Sequence, residues 1–249
     1  MPLIYLSPST QEFNPYYDGV GNEEYYMNLI ADAMEPYLTA SGIEYVRNTP
    51  EMTAASSIAA SNAGNFDVHL ALHSNAAPPE LAGRLRGTDV YYYPSSARSH
   101  HLAELIAAGL RTIYPNPSLV KAVPTTSIGE VSRTRAPAVL IEFAYHDNPE
   151  DAEWIRANIE TIARTVVRSL TEYFGIPFIE PQPTRTATVD TEGGSVNIRE
   201  RPSLDAPVVG QAPDGAQLII LGSWGDWYVV RYDDIEGYVL SLYVTLNYS

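Results

Sequence analysis

Three side chains of this 249-residue chain have types and positions that could support metal-assisted chemistry. The segment from Asp67 to Leu72 is mostly apolar and has the length of a buried β-strand, and His73 ends it before small polar residues follow. Because an open α/β sheet presents its chemistry at the carboxyl ends of its strands, we expect His73 at that edge. Glu24 and Glu142 can be argued toward the same edge. A histidine with carboxylates there predicts a zinc site for hydrolysis.

Each of these residues has a distinct expected role. Zinc binds imidazole and carboxylate groups and, in catalytic sites, keeps one position open for water. The bound water attacks an amide at ordinary pH, and a second carboxylate carries its proton to the leaving amine. His73 and a glutamate at the start of the first helix, Glu23 or Glu24, are therefore the candidate metal ligands, and Glu142 is the candidate catalytic acid and base. Glu23 and Glu24 both precede the first helix, and the helical periodicity does not distinguish between them. The alternative is that the two glutamates only stabilise the helix, because negative charges in the first turn interact favourably with the helix dipole.

Alternating strands and helices would position these side chains. The pattern predicts strands at 3–6, 43–46, 67–73, 88–93 and 138–143. Helices are predicted from about 21 to 42, from 54 to 63 and from 97 to 113, with one long helix capped by Asn148 and running past Leu170. This alternation predicts an α/β fold with a mostly parallel sheet flanked by helices.

A second sequence pattern begins after the long helix. Three prolines lie between residues 177 and 183 and predict a stiff connector. Beyond it, short segments of period two alternate with turns rich in Pro, Gly and Asp, which indicates a small all-β barrel. The predicted domains are 1–177, a Pro-rich linker at 178–186, and 187–249.

The first domain resembles the zinc-dependent N-acetylmuramoyl-L-alanine amidases of the amidase 3 class. Three motifs carry the resemblance: Glu24 four residues before Asn28, the strand Asp67–Ala76 with its histidine, and Pro137–Glu142 followed by Asn148. The resemblance implies cleavage of the amide between N-acetylmuramic acid and L-alanine by zinc-activated water. The implied ligands include Glu24 and His73, and Glu142 is the implied proton shuttle.

The second domain resembles bacterial SH3 domains, which commonly hold wall hydrolases on peptidoglycan. The segments that carry this resemblance are 196–199, 208–210, 226–230 and 237–239. The two resemblances together imply peptidoglycan as the partner and describe an autolysin or endolysin.

The chain departs from the amidase pattern at the first zinc histidine, where Thr10 stands. His146 is the predicted replacement if a turn folds it back toward Glu142, since an extended chain would place it about 13 Å away. The carboxamide of Gln11 is a second option, and weak metal binding without catalysis is a third. Asn75 and Arg135 are predicted to face the substrate.

Two other functions compete with the amidase interpretation. One is a non-catalytic wall-binding protein with a degenerate metal site, and the other is a zinc peptidase acting on the stem peptide. The net charge of −15 argues against nucleic-acid partners and against adhesion to an anionic membrane. The absence of cysteine excludes disulfides and thiolate ligands. The amino-terminal sequence has no classical signal peptide, so we expect action on the cell wall after release of a phage-type lysin or export by another route.

Overall fold

The structure is a computed structural model that describes residues 1–182 and 185–247. The chain forms two compact units. The N-terminal unit comprises Leu3–Glu35 and Tyr45–Phe174, and the C-terminal unit comprises Met1–Pro2, Pro36–Glu44 and Gly175–Ser249. The last segment of the C-terminal unit begins at Gly175, and this unit also contains Pro36–Glu44. The division into the three predicted ranges stays a prediction, and Pro183 and Thr184 of its linker lie outside the described residues.

The N-terminal unit is built on a six-stranded sheet of order β2-β1-β3-β6-β4-β5. Its strands are β1 Leu3–Pro8, β2 Glu44–Arg47, β3 Val68–Asn75, β4 Thr88–Tyr92, β5 Val120–Pro124 and β6 Ala138–Tyr145. The pairs β1–β3, β3–β6 and β4–β5 are parallel, whereas β4–β6 is antiparallel. The predicted α/β class with a mostly parallel sheet is therefore confirmed. Strand β5 was not predicted.

Six helices accompany this sheet. They are α1 Glu23–Ala40, α2 Ala54–Ala63, α3 Ala97–Arg111, α4 Gly129–Ser132, α5 Pro149–Ala157 and α6 Ile159–Phe174. The side chain of Asn22 accepts a hydrogen bond from the backbone N–H of Tyr25, so α1 begins at Glu23. Asn148 caps α5 as expected. The predicted single long helix is instead divided at Asn158, which ends α5.

The short helix α4 lies on the face of the sheet that carries His73. Alternation along β3 directs His69, Ala71 and His73 to one face. Val131 of α4 packs in a buried cluster with Ala71 and Leu140. This packing places the residue before Val131, Glu130, above the histidines of β3.

The C-terminal unit contains a seven-stranded sheet of order β13-β7-β10-β11-β12-β8-β9, and every strand pairing that the structure defines in it is antiparallel. The strands are β7 Arg185–Val189, β8 Ser195–Arg199, β9 Val208–Pro213, β10 Gln217–Trp224, β11 Trp227–Tyr232, β12 Ile235–Leu240 and β13 Val244–Asn247. Its core consists of small and β-branched side chains such as Val196, Ile198 and Val230. The predicted all-β SH3-like region is confirmed.

Within residues 1–182 and 185–247, no helix is long and apolar enough to cross a lipid bilayer.

Candidate active site

The site is organised by the register of two parallel strands. His73 of β3 stands opposite Glu142 of β6, and Glu142 stands opposite Asp89 of β4. Residues in register point to the same face of a sheet, so these three side chains form one row. The sequence analysis predicted that His73 and Glu142 share an edge of the sheet, and the strands bring them side by side.

Both ring nitrogens of His73 contact carboxylates. Nδ1 lies 2.8 Å from Oε1 of Glu23, and Nε2 lies 3.1 Å from Oε2 of Glu130. All three side chains are buried, with 2% exposure for Glu23, 8% for His73 and 4% for Glu130. Since a carboxylate only accepts hydrogen bonds, each ring nitrogen of His73 donates one.

The glutamate that reaches His73 is Glu23, whereas the sequence analysis chose Glu24. Neighbouring residues on an α-helix project about 100° apart, so only one of the two can face the sheet. Glu24 is partly exposed and lines a separate cavity of about 530 Å³ together with Tyr25 and Arg47. The structure therefore does not bring Glu24 to His73.

Glu130 is the site residue that the sequence analysis missed. Its Oε1 accepts hydrogen bonds from Ser7 Oγ at 2.6 Å and from His69 Nε2 at 3.2 Å, while its Oε2 faces His73. A helix of four residues shows no periodicity that a sequence pattern could reveal. The position of Glu130 follows only from the packing of Val131 on the sheet.

Their surroundings shift the pKa values of His73 and Glu130 in opposite directions. Burial alone would lower the pKa of His73, but its hydrogen bonds with Glu130 and Glu23 raise it to about 10. Burial alone would raise the pKa of Glu130, but the hydrogen bonds with His69 and His73 lower it to about 2. Burial alone would raise the pKa of Glu23, but its hydrogen bonds with His73 and Asn14 and the charge of His73 lower it. At neutral pH a cationic imidazole therefore lies between two anionic carboxylates.

Glu142 differs from Glu23 and Glu130 because one of its carboxylate oxygens is buried without a hydrogen-bond donor in the described part of the chain. Its Oε2 atom is shielded from solvent and has no hydrogen-bond partner among the described residues. Burial raises the pKa of Glu142 to about 8, the cation of His73 opposes this shift, and the charges of Glu23 and Asp89 add to it. A carboxyl group in this state exchanges its proton near neutral pH.

Gln11 and Asn14 complete the polar cluster around His73. The side-chain amide of Asn14 donates to Glu23 Oε2 at 2.7 Å and to Gln11 Oε1 at 3.2 Å. Nε2 of Gln11 then faces Glu23 Oε1 and His73 Nδ1, each at 3.3 Å. Gln11 therefore reaches His73, but its side chain presents a hydrogen-bond donor there.

A cleft opens beside this cluster. The cavity has a volume of about 350 Å³, and its lining includes His73, Glu130, Gln11, Thr10 and Phe13. Thr10, which the sequence analysis placed at the position of the first zinc histidine, is thus at the cleft wall. The cleft thus reaches His73, which belongs to the row formed with Glu142 and Asp89.

His146 lies elsewhere in the unit. Its Nδ1 is 2.9 Å from the carbonyl oxygen of Ser74, and its ring stacks on Tyr16 with a centroid distance of 5.4 Å. Strand β6 continues as far as Tyr145, and in the turn that follows it the ring of His146 is held by Ser74 and Tyr16. The structure does not bring His146 to His73 or Glu142.

The two predicted substrate contacts lie outside the cluster. Arg135 is exposed, and its guanidinium donates to the backbone oxygen of Asn62 at 3.1 Å. Asn75 ends β3 and is partly buried, and its carbonyl oxygen accepts from the backbone N–H of His146. A role for either residue in substrate binding stays a prediction.

The donor groups at His73 do not fit a catalytic zinc site. Such sites use three protein ligands, among which at least one neutral imidazole offers a lone pair. Here both nitrogens of His73 donate to carboxylates, the nearby His69 directs its Nε2 at the same Glu130, and Gln11 presents its NH₂ group. Within the described part of the chain, no group of three His, Cys, Asp or Glu side chains is arranged to hold a metal ion.

The family models match both parts of the chain. A model described as N-acetylmuramoyl-L-alanine amidase matches residues 14–172, and a model described as bacterial SH3 domain matches residues 194–245. A search of curated proteins found no match.

Several solved structures share the fold of the N-terminal part. The catalytic domain of CwlV, an N-acetylmuramoyl-L-alanine amidase from Bacillus (Paenibacillus) polymyxa var. colistinus, has a TM-score of 0.62 and 15% identity, and the match covers 71% of this chain and 100% of that one. AmiC2 of Nostoc punctiforme, another such amidase, has a TM-score of 0.60 and 17% identity, with 70% and 97% covered. The catalytic domain of the CD27L endolysin, which targets Clostridia difficile, has a TM-score of 0.55 and 21% identity, with 69% and 97% covered.

Proposed function

We propose that this chain, which belongs to the N-acetylmuramoyl-L-alanine amidase family, hydrolyses the amide bond between the lactyl group of N-acetylmuramic acid and L-alanine in peptidoglycan. The family and the SH3-like domain indicate peptidoglycan as the partner and the cell wall as the place of action. We further propose that the chain cuts this particular bond and that it acts as an autolysin or an endolysin.

The observation that carries the proposal is the state of Glu142. Amide hydrolysis needs a group that takes a proton from water and later gives it to the leaving nitrogen. Such a group works best when its pKa lies near the working pH, and the pKa of Glu142 is raised to about 8. The carboxyl lies in register with His73, which lines the cleft.

The chain's own groups account for the proton transfers. The oxygen of a water molecule attacks the carbonyl carbon while the Glu142 carboxylate takes one of its protons. The cationic ring of His73 lies next to Glu142 and stabilises the negative charge that develops on the carbonyl oxygen. Glu142 then gives the proton to the amide nitrogen, the C–N bond breaks, and Glu142 is again a carboxylate.

Zinc is the cofactor that the family implies, and it would supply an activated water. The donor groups around His73 do not fit it, because both ring nitrogens of His73 donate to carboxylates and Gln11 presents its NH₂ group. No step of the proposed mechanism therefore passes through zinc.

The test is the product released from purified peptidoglycan, analysed by mass spectrometry with zinc, without it, and with a chelator. Hydrolysis at the proposed bond yields stem peptides that begin with a free L-alanine and leaves intact muramic acid in the glycan. Glu142→Gln, which keeps the size of the side chain but cannot carry the proton, should lower the rate by at least about 100-fold. New amino termini inside the stem peptide would indicate a peptidase instead.

A second candidate function is a wall-binding protein whose N-terminal unit is catalytically silent. The observation that favours it is the hydrogen bonding of both His73 nitrogens to carboxylates. Binding to purified wall without any product, in all three metal conditions, would establish this function and exclude the amidase.

A further inference from the structure

The ring of His73 is held from both sides by groups of the protein. Glu23 Oε1 and Glu130 Oε2 lie 2.8 Å and 3.1 Å from its two nitrogens. A zinc ligand must offer a nitrogen lone pair, so a ring that donates from both nitrogens offers none. Any metal at this position must first displace a proton from a buried ion pair.

The amide of Gln11 is fixed in the orientation that opposes metal binding. Asn14 donates to Glu23 Oε2 at 2.7 Å, which fixes the position of the Asn14 NH₂ group. That group also donates to Gln11 Oε1 at 3.2 Å, so rotating the Gln11 amide would bring two NH₂ groups together. Gln11 Nε2 and His73 Nδ1 consequently share Glu23 Oε1 as their acceptor.

Glu130 supplies the second negative charge and is itself held by several groups. It accepts from Ser7 Oγ at 2.6 Å, from His69 Nε2 at 3.2 Å and from His73, and it is 4% exposed. Leaving a buried carboxylate unpaired is costly, so each of these contacts is needed to keep Glu130 in place. The imidazolium of His73 also balances part of the charge of the two glutamates, as a bound cation would.

We infer that the His73 site of this chain is completed by Glu23, Glu130 and Gln11 and does not take up a resident zinc ion, in contrast to what its family implies. Glu130 is the positioning residue of this arrangement, because it holds the ring nitrogen that faces away from Glu23. The inference deepens the proposed function but concerns metal binding, which can be measured without any turnover.

The first test is a calorimetric titration with zinc of the full-length protein, which has first been dialysed against a chelator. The wild type should bind no zinc stoichiometrically at micromolar concentrations. Gln11→His places a second imidazole next to His73 and Glu23 and is the matched variant; we expect it to bind zinc at least about tenfold more tightly than the wild type. Wild-type binding of one zinc per chain with a submicromolar Kd overturns the inference, whatever the variant does.

The second test reads the His73 ring by nuclear magnetic resonance with ¹⁵N labelling of histidine. Both ring nitrogens of His73 should carry protons at pH 7, and the assignment comes from the spectrum of His73→Gln. A ring with one unprotonated nitrogen contradicts the inference. Activity is scored separately: a wild type that binds no zinc and releases no product removes the proposed hydrolysis and leaves this inference standing.

Discussion

Glu23 and Glu24 are neighbours in the chain and differ completely in their surroundings. Glu23 is 2% exposed and contacts His73, whereas Glu24 is partly exposed and lines another cavity. We expect Glu23→Gln to lower kcat/KM on a soluble muropeptide by at least about tenfold, because the cation of His73 loses one of its two counterions. Glu24→Gln is the matched control and should stay within about twofold. A larger loss for Glu24→Gln than for Glu23→Gln would contradict the assignment.

The pH dependence of hydrolysis follows from Glu142. Its carboxylate form takes the proton of water, and its pKa is raised to about 8. The rate should therefore increase as the pH rises from 6 to 8 and level off above that, while His73, with a pKa raised to about 10, keeps its positive charge. Measuring kcat/KM between pH 5 and 9 tests this expectation. A rate that is already constant from pH 5 would exclude Glu142 as the base.

The free energy of unfolding should also depend on the protonation of Glu142. The folded state binds a proton at Glu142 more tightly than the unfolded state does, since its pKa is raised from 4.5 to about 8. Glu142 therefore costs no stability below about pH 4.5, and the cost grows as the pH rises toward 8. Relative to the wild type, Glu142→Gln should gain stability over that range, on the order of a few kcal/mol at pH 8. Urea unfolding of both proteins at pH 5 and pH 8 measures the change; a constant difference would contradict it.

At the level of residues, the sequence allowed part of the site to be predicted. A strand ending in His73 and a charged residue within an apolar strand at Glu142 are visible as departures from a pattern. The choice between Glu23 and Glu24 needs the rotation of the first helix about its axis, which an acidic first turn does not determine. Glu130 reaches His73 through packing between distant segments, which leaves no local signal. Gln11 was a candidate from its position in the sequence, but the structure brings it to His73 as a donor.

Among the elements, long strands and helices were predictable because hydrophobic periodicity is strong over many residues. Strand β5 at Val120–Pro124 was missed because only one of its residues, Val120, is buried. Helix α4 was missed because four residues do not reveal a period. The break between α5 and α6 occurs at Asn158, whose side chain donates to the carbonyl oxygen of Trp154 and so competes with the helical pattern.

Helix α5 carries the buried carboxylate that ties its amino end to the sheet. Asp151 is fully buried; Oδ1 accepts from Tyr114 at 2.6 Å and from Arg86 at 3.1 Å. Oδ2 accepts from the backbone N–H groups of Gly87 at 3.0 Å and Tyr145 at 3.1 Å. These contacts join α5 to the start of β4 and the end of β6, the two strands that carry Asp89 and Glu142 in the row.

Removing the carboxylate of Asp151 should destabilise the N-terminal unit. Asp151→Ala leaves a cation and two backbone donors without their acceptor, which should cost about 3–5 kcal/mol in urea unfolding. Glu150→Ala is the control, since Glu150 also pairs with Arg86 but is exposed, and it should cost less than about 1 kcal/mol. Equal losses for the two variants would show that the buried contacts of Asp151 are not what stabilises α5.

In the whole molecule, the change of sequence pattern after residue 176 correctly indicated a second kind of architecture. The composition of the C-terminal unit was less predictable. Its buried residues include Ala40 and Tyr238, and the hydroxyl of Tyr238 donates to the carbonyl oxygen of Ser41 at 2.9 Å. Contacts between residues so far apart in sequence leave no local signature that a sequence pattern could reveal.

The C-terminal unit contains a groove that is a candidate surface for binding peptidoglycan. A cavity of about 330 Å³ is lined by Trp227, Tyr243 and Leu204, and Leu204 is 66% exposed at its rim. Exposed aromatic and apolar side chains around a cavity are typical of binding sites. We therefore expect Leu204→Asp, which places a charge at the rim, to reduce the fraction of protein that sediments with purified peptidoglycan several-fold.

Leu242 provides the matched control for that experiment. It is 77% exposed and does not line the groove, so Leu242→Asp adds the same charge to the same unit. This variant should sediment like the wild type, because a charge away from the groove leaves the contact surface intact. Neither substitution should change kcat/KM on a soluble muropeptide, since both lie outside the unit that holds His73. Equal sedimentation of the Leu204→Asp and Leu242→Asp proteins would show that the groove does not bind the wall.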